Sequence, residues 1–527
     1  MTNLFFIILI SAVVAGTVPI DFQPWLSQGD HGRDFYCFQA AAQGAVPYQD
    51  YWWVYGPLMP YYFAAFLKFL GSTMPAILTA KAVLDLGAAL FIYLSIATLL
   101  YPFAGFIASL WFLAFQPDFF YTYNHTGGVT LLMAVLYTIA LYIKNNKNYY
   151  LVPGLALLTL LAFVKINIGL FSLVAYLLSV AVIDKLKNIP LTRGKKLIYY
   201  FGAFGVPAFV LLIYFLLTQG LTVSEIRQCF PFLTNDQPYN TSLANSVKSS
   251  WQFIVRQVSY EWATGVFTAL LSLSVIQLGC FLWDKKTRPE TKNILLFAVI
   301  LILFYLFNAP EYFKSGVLYR IYWSKPFSIV LVMLLILWAA QTVPRWARAT
   351  LYCILIYLMT MVFLDKHAHI AKLKSADHYL RLERGKIFAN NAPQWFTTVE
   401  DTTDFLLKTL APGEKFFALP YDALYYYLAG RASPTRQLIF FEHINIYQGQ
   451  EERIIAELEK EKVNYVLISS RAYAREPGLG EFGKTYCQVL GSYISRNFEE
   501  IQRFGNWTND PGWSWGHGTK ILKRIER

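Results

Sequence analysis

Gly29-Asp30-His31-Gly32-Arg33-Asp34-Phe35-Tyr36, then an Ala-rich stretch, then Val46-Pro47-Tyr48-Gln49-Asp50 and Val54-Tyr55-Gly56-Pro57-Leu58, is the run on which the reading of this chain turns. Carboxylates, aromatic rings and a helical pattern crowd together here between two apolar segments, 3–20 and 76–100. The pattern is what an enzyme taking a lipid-borne substrate would carry at the start of its membrane region.

Outward from this run the chain is far more apolar than a soluble core of 527 residues requires, at 56% hydrophobic, 17% aromatic and 15% charged residues. An integral membrane protein is implied. Expected spans are 3–20, 76–100, 103–120, 127–143, 149–164, 166–183, 198–218, 262–283, 294–309, 325–341 and 349–364, judged against the roughly 17 to 25 residues a bilayer demands. The shorter ones need flanking aromatics or a thinned bilayer. Segment 57–71 is apolar too, but it is short, holds Pro57 and Pro60, and ends near Lys68. It is expected to lie along the membrane surface.

Lys144/Lys147, Lys185/Lys187/Arg193/Lys195/Lys196, Lys285/Lys286/Arg288/Lys292 and Arg345/Arg348 fall in alternate loops, which the positive-inside rule assigns to the cytoplasm. With 57–71 on the surface, about eleven transmembrane helices result. The first loop 21–75, the long loop 219–261 and everything after 364 then share the extracytoplasmic side. A multi-pass protein of the plasma or inner membrane is expected, divided into a transmembrane domain, 1–364, and a soluble α/β domain, 365–527. Residues 1–20 also admit a cleaved signal peptide through Ser11-Ala12-Val13-Val14-Ala15-Gly16, although Met1-Thr2-Asn3 carries no basic residue.

The net charge of +12 resides mostly in the membrane portion, which has 23 basic and 13 acidic residues to position 364, against 22 and 20 beyond it. Such an excess suits anchoring at anionic headgroups and forms no stripe for nucleic acid. The five cysteines, Cys37, Cys229, Cys280, Cys353 and Cys487, lack metal-site spacing. In the tail, a helix near 399–410, a strand at 415–420, a helix at 422–429 closed by Gly430, a charged helix at 451–462 and a buried strand at 464–469 are expected.

Asp34 heads an expected helix over 34–43, where its carboxylate serves either as an N-cap or as a reactive group. Gly-Arg-Asp-Phe-Tyr, followed by Ala-Gln-Gly-Ala-Val-Pro-Tyr-Gln-Asp-Tyr and Tyr-Gly-Pro-Leu-Met-Pro-Tyr, resembles the first extracytoplasmic loop of GT-C-fold glycosyltransferases. The resemblance is to the branch holding protein O-mannosyltransferases, the lipid A aminoarabinose transferase and their bacterial relatives. It implies a polyprenyl-phosphate sugar as donor, a protein, lipid or glycan hydroxyl as acceptor, and Asp34 as catalytic base. Relatives often carry Asp-Glu where this chain has Asp34-Phe35. Asp30 and Asp50 are the alternative acids, and Tyr55 lies in the same motif.

Transfer of a sugar from a lipid phosphate to an alcohol needs a carboxylate to take the acceptor proton and cations where charge grows on the leaving phosphate. Lys165, alone between two apolar spans, is either such a cation or a snorkelling side chain at a tight turn. Arg320 and Lys325, at the entry to the tenth span, and Lys68 are further phosphate or headgroup candidates. Asn124 and His125, in a polar outer loop, are candidates for sugar contact or simple loop residues. Lys81 and Asp85, four apart, are expected to neutralise one another.

No Asp-x-Asp, Cys/His cluster or Walker loop occurs, so no cofactor is expected: neither zinc nor ATP, with a divalent ion not indicated. A transporter or flippase of lipid-linked sugars is the alternative function; a large outer domain and the absence of evident internal repeats weigh against it.

Overall fold

The structure, a computed structural model, describes residues 2–17, 29–115, 123–189, 199, 201–218, 277, 288–309, 323–373, 379–388, 393–442, 448–473, 480–507 and 518–526. Its first helices are α1 (Thr2–Thr17), α2 (Asp30–Ala42), α3 (Leu58–Leu70), α4 (Met74–Leu99), α5 (Pro102–Phe115), α6 (Asn124–Asn145), α7 (Leu151–Val164) and α8 (Ile166–Lys187). After these come α9 (Val206–Thr218), α10 (Pro289–Asn308), α11 (Lys325–Ala339) and α12 (Arg345–Leu373). Every expected span overlaps one of these helices except 262–283, of which residue 277 alone is among the described residues.

Local chemistry sets the helix ends. Proline stands in the first turn of α4, α10 and α11, where its missing N–H costs nothing. Asn146 and Asn188 close α6 and α8 in the left-handed conformation, which asparagine tolerates. Helices α4, α6, α8, α10 and the 345–365 part of α12 are long and apolar enough to cross a bilayer. Together with α7 and α11 they share an apolar cluster that includes Ile92, Leu132, Leu158, Phe297 and Phe327. Large apolar side chains face outward, among them Phe209, Tyr357 and Leu364, as in a bundle whose solvent is hydrocarbon. The protein is an integral membrane protein.

Helix α1 packs into this bundle, burying Ile10 and Val14 against Tyr93 and Leu113. Helix α3 has 13 residues, about 20 Å at 1.5 Å each. It buries Met59, Phe63 and Leu67 and leaves Lys68, Phe69 and Leu70 exposed at its end.

Beyond the bundle, the hairpin β1 (Tyr379–Leu380) and β2 (Ile387–Phe388) precedes α13 (Pro393–Thr409), β3 (Phe416–Leu419), α14 (Ala423–Ala429), α15 (Gln448–Lys460) and β4 (Tyr465–Ser469). The chain ends in α16 (Gln488–Asn497), β5 (Phe498–Phe504) and β6 (Thr519–Arg524). The sheet order is β3-β4-β6-β5, with β3 and β4 parallel and the other pairs antiparallel. The helices and strands expected between 399 and 469 are all present; α13 starts six residues before its expected start, and the other ends agree within three residues. Elements α16, β5 and β6 were not expected. Helix α12 runs through the boundary expected at 364 and continues to Leu373.

One hydrophobic cluster joins the first loop to the C-terminal region. Phe35, Phe38, Trp53 and Phe63 share it with Phe417, Leu424, Tyr425 and Tyr427. Backbone hydrogen bonds cross the same boundary, from Trp52 N to Arg436 O and from Met74 N to Arg384 O, each 2.9 Å.

Candidate functional site

Helix α2 begins at Asp30, four residues before the expected start, with Gly29 as its N-cap. Asp34 is therefore in the second turn, and the N-cap reading of it is corrected. Two glycines determine where the motif sits. A Cβ on Gly32 would lie 2.7 Å from Leu424 Cβ and 2.8 Å from Leu424 N, so only glycine lets α2 press onto α14. A Cβ on Gly56 would lie 2.0 Å from the Phe163 carbonyl oxygen. Gly56 thus brings the turn after Tyr55 onto the end of α7, where its N–H donates to Val164 O at 3.0 Å.

Asp34 is fully buried. Its Oδ1 accepts from Arg33 Nε at 3.1 Å and Nη2 at 2.8 Å, and its Oδ2 accepts from the Tyr123 amide at 3.1 Å. Arg33, 2% exposed, also donates through Nη1 to Asp30 Oδ1 at 3.0 Å and to the Tyr421 hydroxyl at 2.8 Å. Tyr421 in turn donates to Asp30 Oδ1. The guanidinium lies 5.4 Å from the Trp53 ring centre and 5.3 Å from that of Tyr55. Burial opposes its charge, yet Tyr421, Asp34 and Asp30 prevail and raise its pKa well above the ordinary value. Burial likewise pushes the Tyr421 hydroxyl well above the usual range, against the pull of Arg33.

Lys165 interrupts what would otherwise be one helix. Its extended backbone separates α7 from α8 and brings its ammonium 5.6 Å from the Tyr55 ring centre and 5.5 Å from that of Trp323. His125 joins the same cluster, 5.4 Å from Tyr55 and 4.8 Å from Trp323 between ring centres. Tyr55 is the common neighbour of Arg33, Lys165 and His125, and Asp34 is linked to this ring through Arg33. Such contacts of cations with aromatic faces stabilise by about 0.5 to 2 kcal/mol each.

Asp34, Tyr55, His125 and Lys165 are thus brought together. Asn124 is fully buried beside them and gives its amide to Val164 O at 3.1 Å, which holds the end of α7. Lys325 opens α11, two residues after Trp323. Asp50 is exposed and accepts the Val46 amide at 2.7 Å, closing its own turn. Lys68 is on the exposed end of α3. Lys81 and Asp85 pair at 2.8 Å. Arg320 and the loop 219–261 lie outside the described residues.

Sequence reasoning assigned no role to Arg33, Trp53, Trp323 or Tyr421. Tyr421 and Asp422 follow β3 at its carboxyl end, the position where α/β sheets commonly bear functional groups, and that was the available signal.

No protein-family model and no curated protein matches this sequence. Solved structures do. The crystal structure of ArnT from Cupriavidus metallidurans bound to undecaprenyl phosphate is similar over 98% of this chain and 97% of that one, with 12% identity and a TM-score of 0.54. The oligosaccharyltransferase of Archaeoglobus fulgidus, in complex with zinc and sulfate, aligns over 89% of this chain and 68% of that one, with 12% identity and a TM-score of 0.47. The likeness to ArnT shows a shared GT-C-like fold: a polytopic helical membrane protein with a C-terminal α/β region.

Proposed function

We propose that this protein is an inverting glycosyltransferase that moves a sugar from a polyprenyl-phosphate donor to an acceptor hydroxyl on the extracytoplasmic side of the membrane. The observation that carries this reading is a buried carboxylate, Asp34, held by Arg33, whose guanidinium lies at the same Tyr55 ring as the Lys165 ammonium, at a break between two membrane helices. The fold shared with a protein solved with undecaprenyl phosphate supports the choice of donor.

In the proposed reaction the acceptor oxygen attacks the anomeric carbon while its proton passes to the Asp34 carboxylate. The bond from that carbon to the phosphate oxygen breaks, and polyprenyl phosphate leaves. Lys165 offsets the charge that grows on the leaving phosphate, with Lys325 and Arg320 as further cations at the entry to α11. Arg33, already shared by two carboxylates, holds Asp34 and does not bind phosphate. The indole of Trp323 and the imidazole of His125 border the sugar. The acceptor is a protein, lipid or glycan hydroxyl.

Donor binding is the direct test of the cationic half. Undecaprenyl phosphate is expected to raise the melting temperature of the purified protein, and Lys165→Met to weaken that binding about tenfold or more, as loss of a charge-assisted contact predicts. Equal binding by Lys165→Met would remove Lys165 from the phosphate site.

A further inference from the structure

The C-terminal region contributes a residue to the reacting end of the molecule. Resting on the function proposed above, we propose that Tyr421 is a positioning residue: its hydroxyl sets the plane of the Arg33 guanidinium and, through it, the aim of the Asp34 carboxylate.

Arg33 presents two of its nitrogens to Asp34 Oδ1, and the third, Nη1, is shared by Asp30 and Tyr421. A planar guanidinium orients as a unit, so whatever holds Nη1 decides how the other edge meets Asp34. Asp30 alone is a weak anchor, because its side chain is 28% exposed. Tyr421 is buried, and its ring rests edge-on against Phe441 at 5.9 Å between centres. Its hydroxyl ties Asp30 and Nη1 together. With its pKa raised by burial, the hydroxyl keeps its proton in the working range and remains a donor to Asp30.

The surrounding contact is stiff enough to transmit this. Gly32 abuts Leu424, Phe35 meets Tyr427 at 5.5 Å and Tyr36 meets Tyr426 at 5.4 Å between ring centres, and the Tyr36 hydroxyl accepts the Ser433 amide at 2.9 Å. Those contacts seat the helix. Only the Tyr421 hydroxyl among them reaches Arg33. A displaced base of the order of 1 Å costs about a hundredfold in rate.

The experiment compares Tyr421→Phe with Tyr426→Phe in the full-length protein. The Tyr426 hydroxyl accepts the Ala418 amide at 2.7 Å in the same buried contact but does not touch Arg33. Tyr421→Phe is expected to lower kcat for sugar transfer about tenfold to a hundredfold with the donor KM unchanged, whereas Tyr426→Phe keeps kcat even where its melting temperature falls. Wild-type kcat in Tyr421→Phe, or an equal loss in both variants, overturns the proposal and leaves the transferase reading standing. Hydrogen exchange of the amides of residues 33–36 gives a readout that does not need activity. It is expected to speed up in Tyr421→Phe alone. That result in a protein that transfers no sugar would keep the coupling and reject the reaction, and unchanged exchange would reject the coupling.

Discussion

Arg33 and Asp34 are both withdrawn from water, and such a pair persists only where each charge has close partners. Arg33 has three, one of them 388 residues away in sequence. That distance explains what the sequence could yield at this scale. Asp34 and Lys165 were legible as candidates because each stands out locally, as an acid in a motif and as a lone cation between apolar spans. Tyr421 and Trp323 were not, since a buried aromatic looks like core until its neighbours are known. Asp422, beside Tyr421, gives a prediction of its own. It accepts from Ser469 Oγ at 2.7 Å, and burial pushes its carboxyl up to about 7. An acid whose pKa is raised on folding holds its proton longer in the native state, so its penalty is absent below about pH 4, grows up to about pH 7 and is complete above that. Asp422→Asn, which keeps an oxygen for Ser469, is expected to stabilise the protein by an amount on the order of a few kcal/mol at pH 8. The gain should vanish toward pH 4. Thermal inactivation midpoints across that range check it; a gain independent of pH would contradict it.

At the scale of elements, the close approach of α2 to α14 is what places the motif. Glycine within a helix is less favourable than alanine, by up to roughly 1 kcal/mol, so its presence at 32, in the first turn of α2, calls for a steric reason, and Leu424 supplies it. Gly32→Ala is expected to destabilise by about 1 to 3 kcal/mol, the usual cost of overpacking, and to reduce transfer at least tenfold. Gly449→Ala, with nothing within 4 Å of the added carbon, should be neutral or mildly stabilising. Melting temperatures of the two variants in the same detergent separate the steric effect from helix propensity. Helices were readable here because their apolar length and end signals are local. The start of α2 was misjudged by four residues because Asp30, a common cap, is the first helical residue and Gly29 takes the cap. Strands β5 and β6 were missed for a different reason. Strand β5, Phe498–Phe504, is mostly exposed, with Glu499, Glu500 and Arg503 among its seven residues, so it lacks the alternation that marks a half-buried strand.

Across the whole molecule, the first loop and the C-terminal region are stabilised by one shared core. Composition marks off the C-terminal α/β region but does not reveal this shared core, because composition records which residues avoid water and not which segments bury one another. Fold class was legible in the sequence for the same reason: a chain this apolar has few ways to satisfy its backbone other than helices in a bilayer. The C-terminal region, on this account, is part of the machinery that aims the base, and the membrane helices hold the donor against it. The most direct test is release of free polyprenyl phosphate from a panel of polyprenyl-phosphate sugars, by the full-length protein and by Asp34→Asn, with an envelope extract supplying acceptors. The account predicts release by the wild type from at least one donor and a loss of about a thousandfold or more in Asp34→Asn, in line with removal of a general base. Release undiminished in Asp34→Asn, or none from any donor by a folded protein that binds the lipid, would contradict it.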